Sequence, residues 1–314
     1  MNALTRFGLK ALHKIFGRPI PLPPPQYKGE EANELIYSAL ASDTPCMIGR
    51  LGNVELNCVV NSLLLDKTVT PGKILRYIRD KSVRFEWDRT TMYEMGNNAG
   101  FFPADVEHLE RFAALMLEAI PKADILGSWL PAEVFIADRL RNTTTVRLPD
   151  LEPYYHENPW SRILEGKTVL VIHPFAKSIQ SQYARREKLF RDRRVLPEFR
   201  LETIRAVQSA ANTRTPFRDW FEALESMKGR IRERAFDVAL IGCGAYGFPL
   251  GAYVKDLGRK AVHLGGALQI LFGIRGARWD THEFISRLYN DCWVRPLKEE
   301  RPDRAEGVEN ACYW

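Results

Sequence analysis

Apolar positions along this chain recur with two periods, and the alternation between them predicts the fold. Helical spacing from about Glu31 to Ala41 leads into a short strand at Thr44–Gly49, and "RLGNVELNCVVNSLLL" then reads as a glycine turn entering an apolar helix. Helical spacing around Ala104–Ala119 precedes a strand at Ala123–Trp129. "GKTVLVIHPF" reads as a buried strand ending in His173-Pro174, followed by a helix from Lys177 to Phe190. A short strand near Val195–Leu201 and a helix from Pro216 to Arg232 come next. In "FDVALIGCGAYGFPLGAYVKDLGRKAVHLGG", Phe236–Ile241 is an apolar run, Leu250, Tyr253, Val254 and Leu257 recur at helical spacing, and Lys260–Leu264 forms a second strand. Strands alternating with helices predict an α/β fold, a Rossmann-like and mostly parallel sheet with helices on both faces. No internal repeat is present.

The ends of the chain break this pattern. Residues 1–18 place Leu4, Phe7, Ala11, Leu12, Ile15 and Phe16 among Arg6, Lys10, His13, Lys14 and Arg18. Such a basic amphipathic helix either lies on an anionic membrane surface or packs against its own domain. "PIPLPPP" follows as a stiff spacer. The chain thus divides into an N-terminal segment and spacer (1–25), an α/β domain (26–295) and a charged tail (296–314). The tail turns apolar at Cys312, Tyr313 and Trp314, which are expected to dock on the body.

Composition narrows the function classes. With 314 residues, 45% of them apolar and 27% charged, the chain can bury a substantial core and is not disordered. No apolar stretch reaches the roughly eighteen residues of a membrane span, and no leader-like segment signals secretion. Five cysteines, never at C-x-x-C spacing, fit a reducing compartment and argue against a cysteine zinc site. The expected location is cytoplasmic, peripheral at the inner face of the membrane. A net charge of +6 suits an anionic small molecule or an anionic surface, whereas the scattered basic residues match no nucleic-acid motif. Nucleic acid is therefore not an expected partner.

Ligands of parallel sheets bind beyond the carboxyl ends of the strands, and three predicted ends carry unusual residues. At the first, Arg50, Gly52, Asn53 and Glu55 crowd a strand-to-helix turn, where a carboxylate can hold a metal and an arginine can pair with phosphate. The same residues also suit a plain helix-capping turn. At the second, His173 ends a strand while Lys177 and Ser178 open a helix, a set able to bind an anion or supply a base, or else purely structural. At the third, Gly242, Gly244 and Gly247 fit the G-x-G-x-x-G pattern, with His263, Gly265, Gly266 and Gln269 beyond them. Tyr246 either stacks on a base or belongs to the core. The acidic residue that a dinucleotide site requires about 20 positions on is absent, so no NAD is expected. Nucleophile-elbow, Walker and His-Glu-x-x-His motifs are missing too.

Together these pieces resemble bacterial glycosyltransferases of the GT-D fold and their GT-D-like relatives, over about residues 34 to 270. The family's Arg-x-Gly-Asp-x-Glu turn is matched by Arg50-Leu51-Gly52-Asn53-Val54-Glu55. Its late strand, glycine turn and helix are matched by "ALIGCGAYGFPLGAYVKDLGRKAVHLGG", and the helix between them by "TPFRDWFEALESM". Here Asn53 stands where the family has Asp, and "GGALQILFGIRGARW" replaces its histidine- and acid-bearing segment. The resemblance implies sugar transfer from a nucleotide-sugar donor to a glycan or lipid-linked acceptor in surface polysaccharide or glycoprotein synthesis. Glu55 would be catalytic and would also hold a divalent manganese or magnesium, and His173, from its place at a strand end, is the second catalytic candidate. Arg50, Gly52, Asn53, Lys177, Ser178, Gly242, Gly244, Tyr246, Gly247, His263, Gly265, Gly266 and Gln269 would line the nucleotide and diphosphate. A non-catalytic nucleotide- or glycan-binding domain is the alternative.

Overall fold

Seven parallel strands carry the fold in a computed structural model that describes residues 3–308 and 311–314. The side chains of Leu4 and Arg6, part of the amphipathic segment, lie outside the described residues. The strands are β1 (Met47–Gly49), β2 (Ile125–Ser128), β3 (Thr144–Arg147), β4 (Thr168–His173), β5 (Arg200–Arg205), β6 (Val238–Ile241) and β7 (Lys260–His263). Their order across the sheet is β3-β2-β1-β7-β6-β4-β5, and every pairing is parallel. This is the expected Rossmann-like α/β architecture.

The strands read as near-continuous apolar runs because helices bury both faces. Alternate residues feed different cores. Met47, Leu170, Ile172, Ala239, Ile241 and Ala261 pack on one face beneath α3 (Asn53–Leu63), α5 (Arg89–Asn97), α6 (Val106–Ala119), α8 (Trp220–Arg232) and α9 (Gly247–Asp256). Ile48, Val169, Val171, Val238, Leu240 and Val262 pack on the other, beneath α2 (Glu30–Ala41), α7 (Ala176–Tyr183) and the segment after β7. Full burial of each Val, Leu, Ile or Met side chain among them contributes about 1.5–3 kcal/mol.

Differences from the predicted elements have local causes. β3 was not legible, because Thr144 and Thr145 at a sheet edge are only half-buried and break the apolar run. β5 begins at Arg200 instead of Val195 for the same reason: an edge strand alternates charged and apolar residues, while Val195 and Leu196 are buried in the preceding loop. α7 stops at Tyr183 rather than continuing to Phe190. The Leu189 carbonyl accepts from Trp293 Nε1 (2.9 Å) and from Asn290 Nδ2 (3.2 Å), so the chain has already left the helix to enter the core. α8 starts at Trp220 because the Asp219 carboxylate caps the Glu222 N–H (2.9 Å).

α1 (Ala3–Phe16) and α4 (Pro71–Asp80) stand apart from both cores. Leu9 of α1 packs with Ile74, Tyr77, Ile78, Val83 and Phe85, and His13 Nδ1 donates to the Ile78 carbonyl (2.8 Å). α1 therefore docks on its own chain while Phe7, Ile15 and Phe16 stay exposed at 75%, 70% and 64%. Among the described residues no helix is long and apolar enough to cross a membrane.

The segment after Pro296 folds back over the body. Glu300, fully buried, accepts from the Lys177 N–H (2.8 Å), the Ser178 N–H (3.3 Å) and the Ser178 hydroxyl. It supplies the negative charge that a helix N-terminus attracts. Glu300→Gln removes that charge and leaves one amide oxygen for the two N–H groups, with its Nε2 toward the Ser178 hydroxyl. It should lower stability by about 2 kcal/mol, a Tm fall of roughly 3 °C for a chain of this length. An unchanged Tm would mean that the carboxylate does not hold this segment down.

Candidate functional site

The parallel register brings the carboxyl ends of all seven strands to one rim, and a cavity of about 420 Å³ opens at its centre. β4 continues outward to β5 while β6 continues inward to β7, so their connections diverge at neighbouring strands. Divergence of this kind leaves the crevice in which open α/β sheets bind ligands. Volume and position both suit a small-molecule site.

Arg50 follows β1 directly. Its guanidinium lies 4.6 Å over the Trp129 ring, whose Nε1 donates to the Leu51 carbonyl (2.9 Å). Burial pushes the Arg50 pKa down, while Tyr313, Glu55 and Glu152 act in the opposite sense and hold the cation. Gly52, extended at φ −80°, precedes the first helical residue, Asn53. Asn53 is thus not the cap. The Glu55 carboxylate folds back over Gly52, and a Cβ there would collide with it. Glu152 joins from the loop after β3. Burial lifts its carboxyl to about 7, against a hydrogen bond from the Tyr154 hydroxyl and the attraction of Arg50.

His173 and His263 face the same cavity from β4 and β7, the strands on either side of β6, with opposite tautomers. The Phe175 N–H donates to His173 Nδ1 (3.0 Å), which must be unprotonated, so the proton sits on Nε2. That Nε2 has no protein partner among the described residues. His263 Nδ1 lies 3.2 Å from the Ile241 carbonyl, so Nδ1 carries the proton and Nε2 is an acceptor. Burial pushes His173 down to about 3, and burial followed by the Arg50 charge pushes His263 down to about 4. Both rings are neutral at pH 7.

The glycines of the rim permit close approach. A Cβ on Gly242 would lie 2.5 Å from the Gly265 carbonyl and 2.9 Å from the His173 ring. Gly244 has φ +56° and Gly265 φ +60°, conformations that side chains resist. Gly247 faces the His263 ring. The far wall comes from later in the chain. The Tyr313 ring covers Gly266, its carbonyl accepts from Gln269 Nε2 (3.1 Å), and the Arg278 guanidinium lies 4.9 Å over its ring.

Of the residues singled out in the sequence, Arg50, Gly52, Asn53, Glu55 and His173 line the cavity, as do Gly242, Gly244, Tyr246, His263, Gly265, Gly266 and Gln269. Tyr246 does so as a core residue. It is 2% exposed and its ring stacks on Trp220 at 4.8 Å, with the hydroxyl 3.2 Å from Ser209 Oγ. Lys177 and Ser178 are elsewhere, because Glu300 already occupies the helix start and Lys177 Nζ pairs with Glu299 (3.2 Å). Gly247 packs behind His263 and does not line the cavity. Trp129, Glu152, Arg278, Trp279 and Tyr313 are among the lining residues that sequence reasoning did not single out for the site. Trp129 ended a predicted strand and had that signal. Glu152 follows an unpredicted strand, and the others depend on how the chain returns after β7.

Among the described residues no group of three or more His, Cys, Asp or Glu side chains is placed to hold a metal. Glu55 and Asn53 by themselves make a poor set for manganese or magnesium, and the neighbouring charge is the Arg50 cation. The lining suits a diphosphate held by arginine better than one held through a metal.

No family model matches the chain, and neither does any curated protein or solved structure.

The two neutral histidines set a pH dependence. The unfolded chain binds protons at both below about pH 6.5, whereas the fold binds them only near pH 3 and pH 4. Stability from this source is intact above pH 6.5 and falls on acidification, by up to about 1.4 kcal/mol per pH unit for each ring. The raised Glu152 carboxyl acts in the opposite sense between about pH 7 and 4.5, so urea unfolding at pH 7, 6 and 5 should show a net slope nearer that of one ring, and His263→Gln should make it shallower. Equal slopes would place the charged form of His263 inside the fold.

Proposed function

We propose that the protein is a glycosyltransferase that moves a sugar from a nucleotide-sugar donor to an acceptor hydroxyl. The observation that carries this reading is the Arg50 guanidinium, buried at the strand ends against Trp129 with Glu55 and Glu152 beside it. A preorganised cation in a water-poor cleft stabilises the diphosphate that forms as the bond from the anomeric carbon to the phosphate oxygen breaks. Arg278 adds a second positive charge on the opposite wall, and His173 Nε2–H offers a neutral donor to a phosphate oxygen. The acceptor oxygen forms the new bond to the anomeric carbon and gives up its proton. Glu152, poised near neutrality, is suited to receive it. Trp279 and Tyr313 offer aromatic faces for the base or sugar. The resemblance of the Arg50–Glu55 turn to GT-D enzymes supports the same reading. A nucleotide- or glycan-binding domain without turnover is the competing reading, and the carboxylates beside Arg50 favour the enzyme.

The reading also includes a cytoplasmic, membrane-peripheral location. Phe7, Ile15 and Phe16 of α1 are exposed, as is Leu75 of α4, the helix packed against α1, with Lys10, Lys14, Arg76 and Arg79 on the same two helices. This combination fits an anionic lipid surface, where each nearby basic residue contributes about 1 kcal/mol.

Two experiments test these statements. Uridine and guanosine diphosphates, with their sugar conjugates, should raise the Tm, and turnover should release the diphosphate. Gly52→Ala displaces the flexible Glu55 carboxylate at small structural cost, and Glu55→Gln removes its charge. Each should lower turnover at least tenfold with Tm nearly unchanged. Stabilisation by the diphosphate without turnover of any conjugate would leave the binding domain standing. For the membrane, full-length protein should co-sediment with phosphatidylglycerol vesicles. The Phe7→Glu/Ile15→Glu variant should do so at least fivefold less, and equal binding would remove the membrane role of α1.

A further inference from the structure

A second groove, about 950 Å³, runs between α1, α3 and residues 81–94. Asn53 lines both this groove and the cavity at the strand ends, so the two spaces adjoin. From Asn53 the floor continues along one face of α3 through Asn57 and Asn61, four residues apart and therefore stacked on one side of the helix. Asn57 Nδ2 donates to Asn53 Oδ1 (3.4 Å).

Asn61 is the informative member. It is 2% exposed, and its Oδ1 accepts from the Asp88 N–H (3.1 Å), which fixes the orientation of the amide. Its Nδ2 has no acceptor among the described residues. A buried donor left without a partner is costly, and natural structures rarely tolerate one unless water or a ligand completes it.

The walls supply charge of one sign in excess. Lys14, Arg18, Lys81, Arg84 and Arg89 line the groove, and none makes an ion pair among the described residues. Arg84 Nη1 donates to the Lys81 carbonyl (2.6 Å), which holds the two cations close together. Burial, and then the neighbouring Arg84, push the Lys81 ammonium down. Three carboxylates lie on the same walls and are already engaged: Asp88 faces Lys10 at 3.9 Å and caps α5 through Thr91, and Glu86 and Glu94 have partners of their own. Trp87 and Tyr77 add aromatic surface.

We infer that this groove binds an acidic saccharide, whose hydroxyls engage the asparagine row and whose carboxylate or phosphate groups meet the unpaired cations. That this saccharide is the acceptor rests on the transferase reading of the adjoining cavity; its binding in the groove does not. Amide side chains both donate and accept, as vicinal hydroxyls require, and closely set cations select against neutral sugars. The shared residue Asn53 places one end of such a chain at the mouth of the cavity where a donor sugar would be presented.

The test uses the full chain with hexagalacturonate as probe, neutral maltohexaose as the charge control and hexathymidylate as the nucleic-acid control. Asn61→Asp keeps the bond from the Asp88 N–H and replaces the unpaired donor by a negative oxygen. Arg89→Glu reverses an exposed charge and tests the groove even if the buried variant folds poorly. Hexagalacturonate should bind in a salt-dependent manner, at least tenfold more tightly than maltohexaose, and each variant should weaken it at least fivefold. Uridine diphosphate binding should be unaffected by Arg89→Glu. Unchanged hexagalacturonate affinity in both variants overturns the inference. So does hexathymidylate binding as tightly with the same sensitivity, which would make the groove a nucleic-acid site. Variant-sensitive hexagalacturonate binding, in a protein that neither binds nor turns over any nucleotide, would retain the groove and remove the transferase reading.

Discussion

Everything at this site depends on the parallel direction of the strands. Because each crossover returns the chain to the same edge, residues far apart in sequence reach one rim. The register is explicit: Ile48 pairs with Val262, Ile241 with His263, and Ile172 with Ile241. Arg50, His263, Gly242 and His173 are therefore neighbours across adjacent strand ends. A slip of one residue in any strand would exchange its two faces and turn the site residue away. Burial of both faces, with alternate residues divided between two cores, is what enforces the register.

Arg50 sets the electrostatics that follow. A guanidinium removed from water needs compensation, and it obtains it from the Trp129 face and from Glu55, Glu152 and Tyr313. Its charge helps keep His263 neutral and moderates the rise of the Glu152 carboxyl, so these groups titrate as a connected set. A ligand diphosphate would bring further negative charge toward a cation that is already partly neutralised. The second arginine, Arg278, thus matters for the charge balance of any complex.

The segment from Pro296 onward takes part in the site as well as in stability. Glu300 saturates the start of α7, which denies that helix terminus to a ligand phosphate. Trp314 Nε1 donates to the Glu300 carbonyl (3.4 Å), and Tyr313 closes the cavity above Gly266. One carboxylate therefore closes the start of α7 to any other anion. The helix start that looks most like a phosphate site is filled from within, and the cations facing the cavity are Arg50 at the exit of β1 and Arg278 on the opposite wall.

The sequence by itself determined the layer architecture, since apolar runs long enough to be buried on both faces admit little besides helix-covered parallel strands. It also determined most of one wall of the cavity, because glycines, arginine and histidine at predicted strand ends must emerge at the rim of such a sheet. The edge strands β3 and β5 escaped because half-buried strands carry the charge and threonine that loops also carry. Glu152 and Tyr313 escaped because their places depend on how the chain returns after the strands. Lys177 and Ser178 looked like an anion site for a sound local reason, and only the tertiary structure could show that Glu300, more than a hundred residues away, had already satisfied it. Helical phase and strand alternation are local and can be read from the chain, whereas which charge meets which N–H is decided by packing between distant segments.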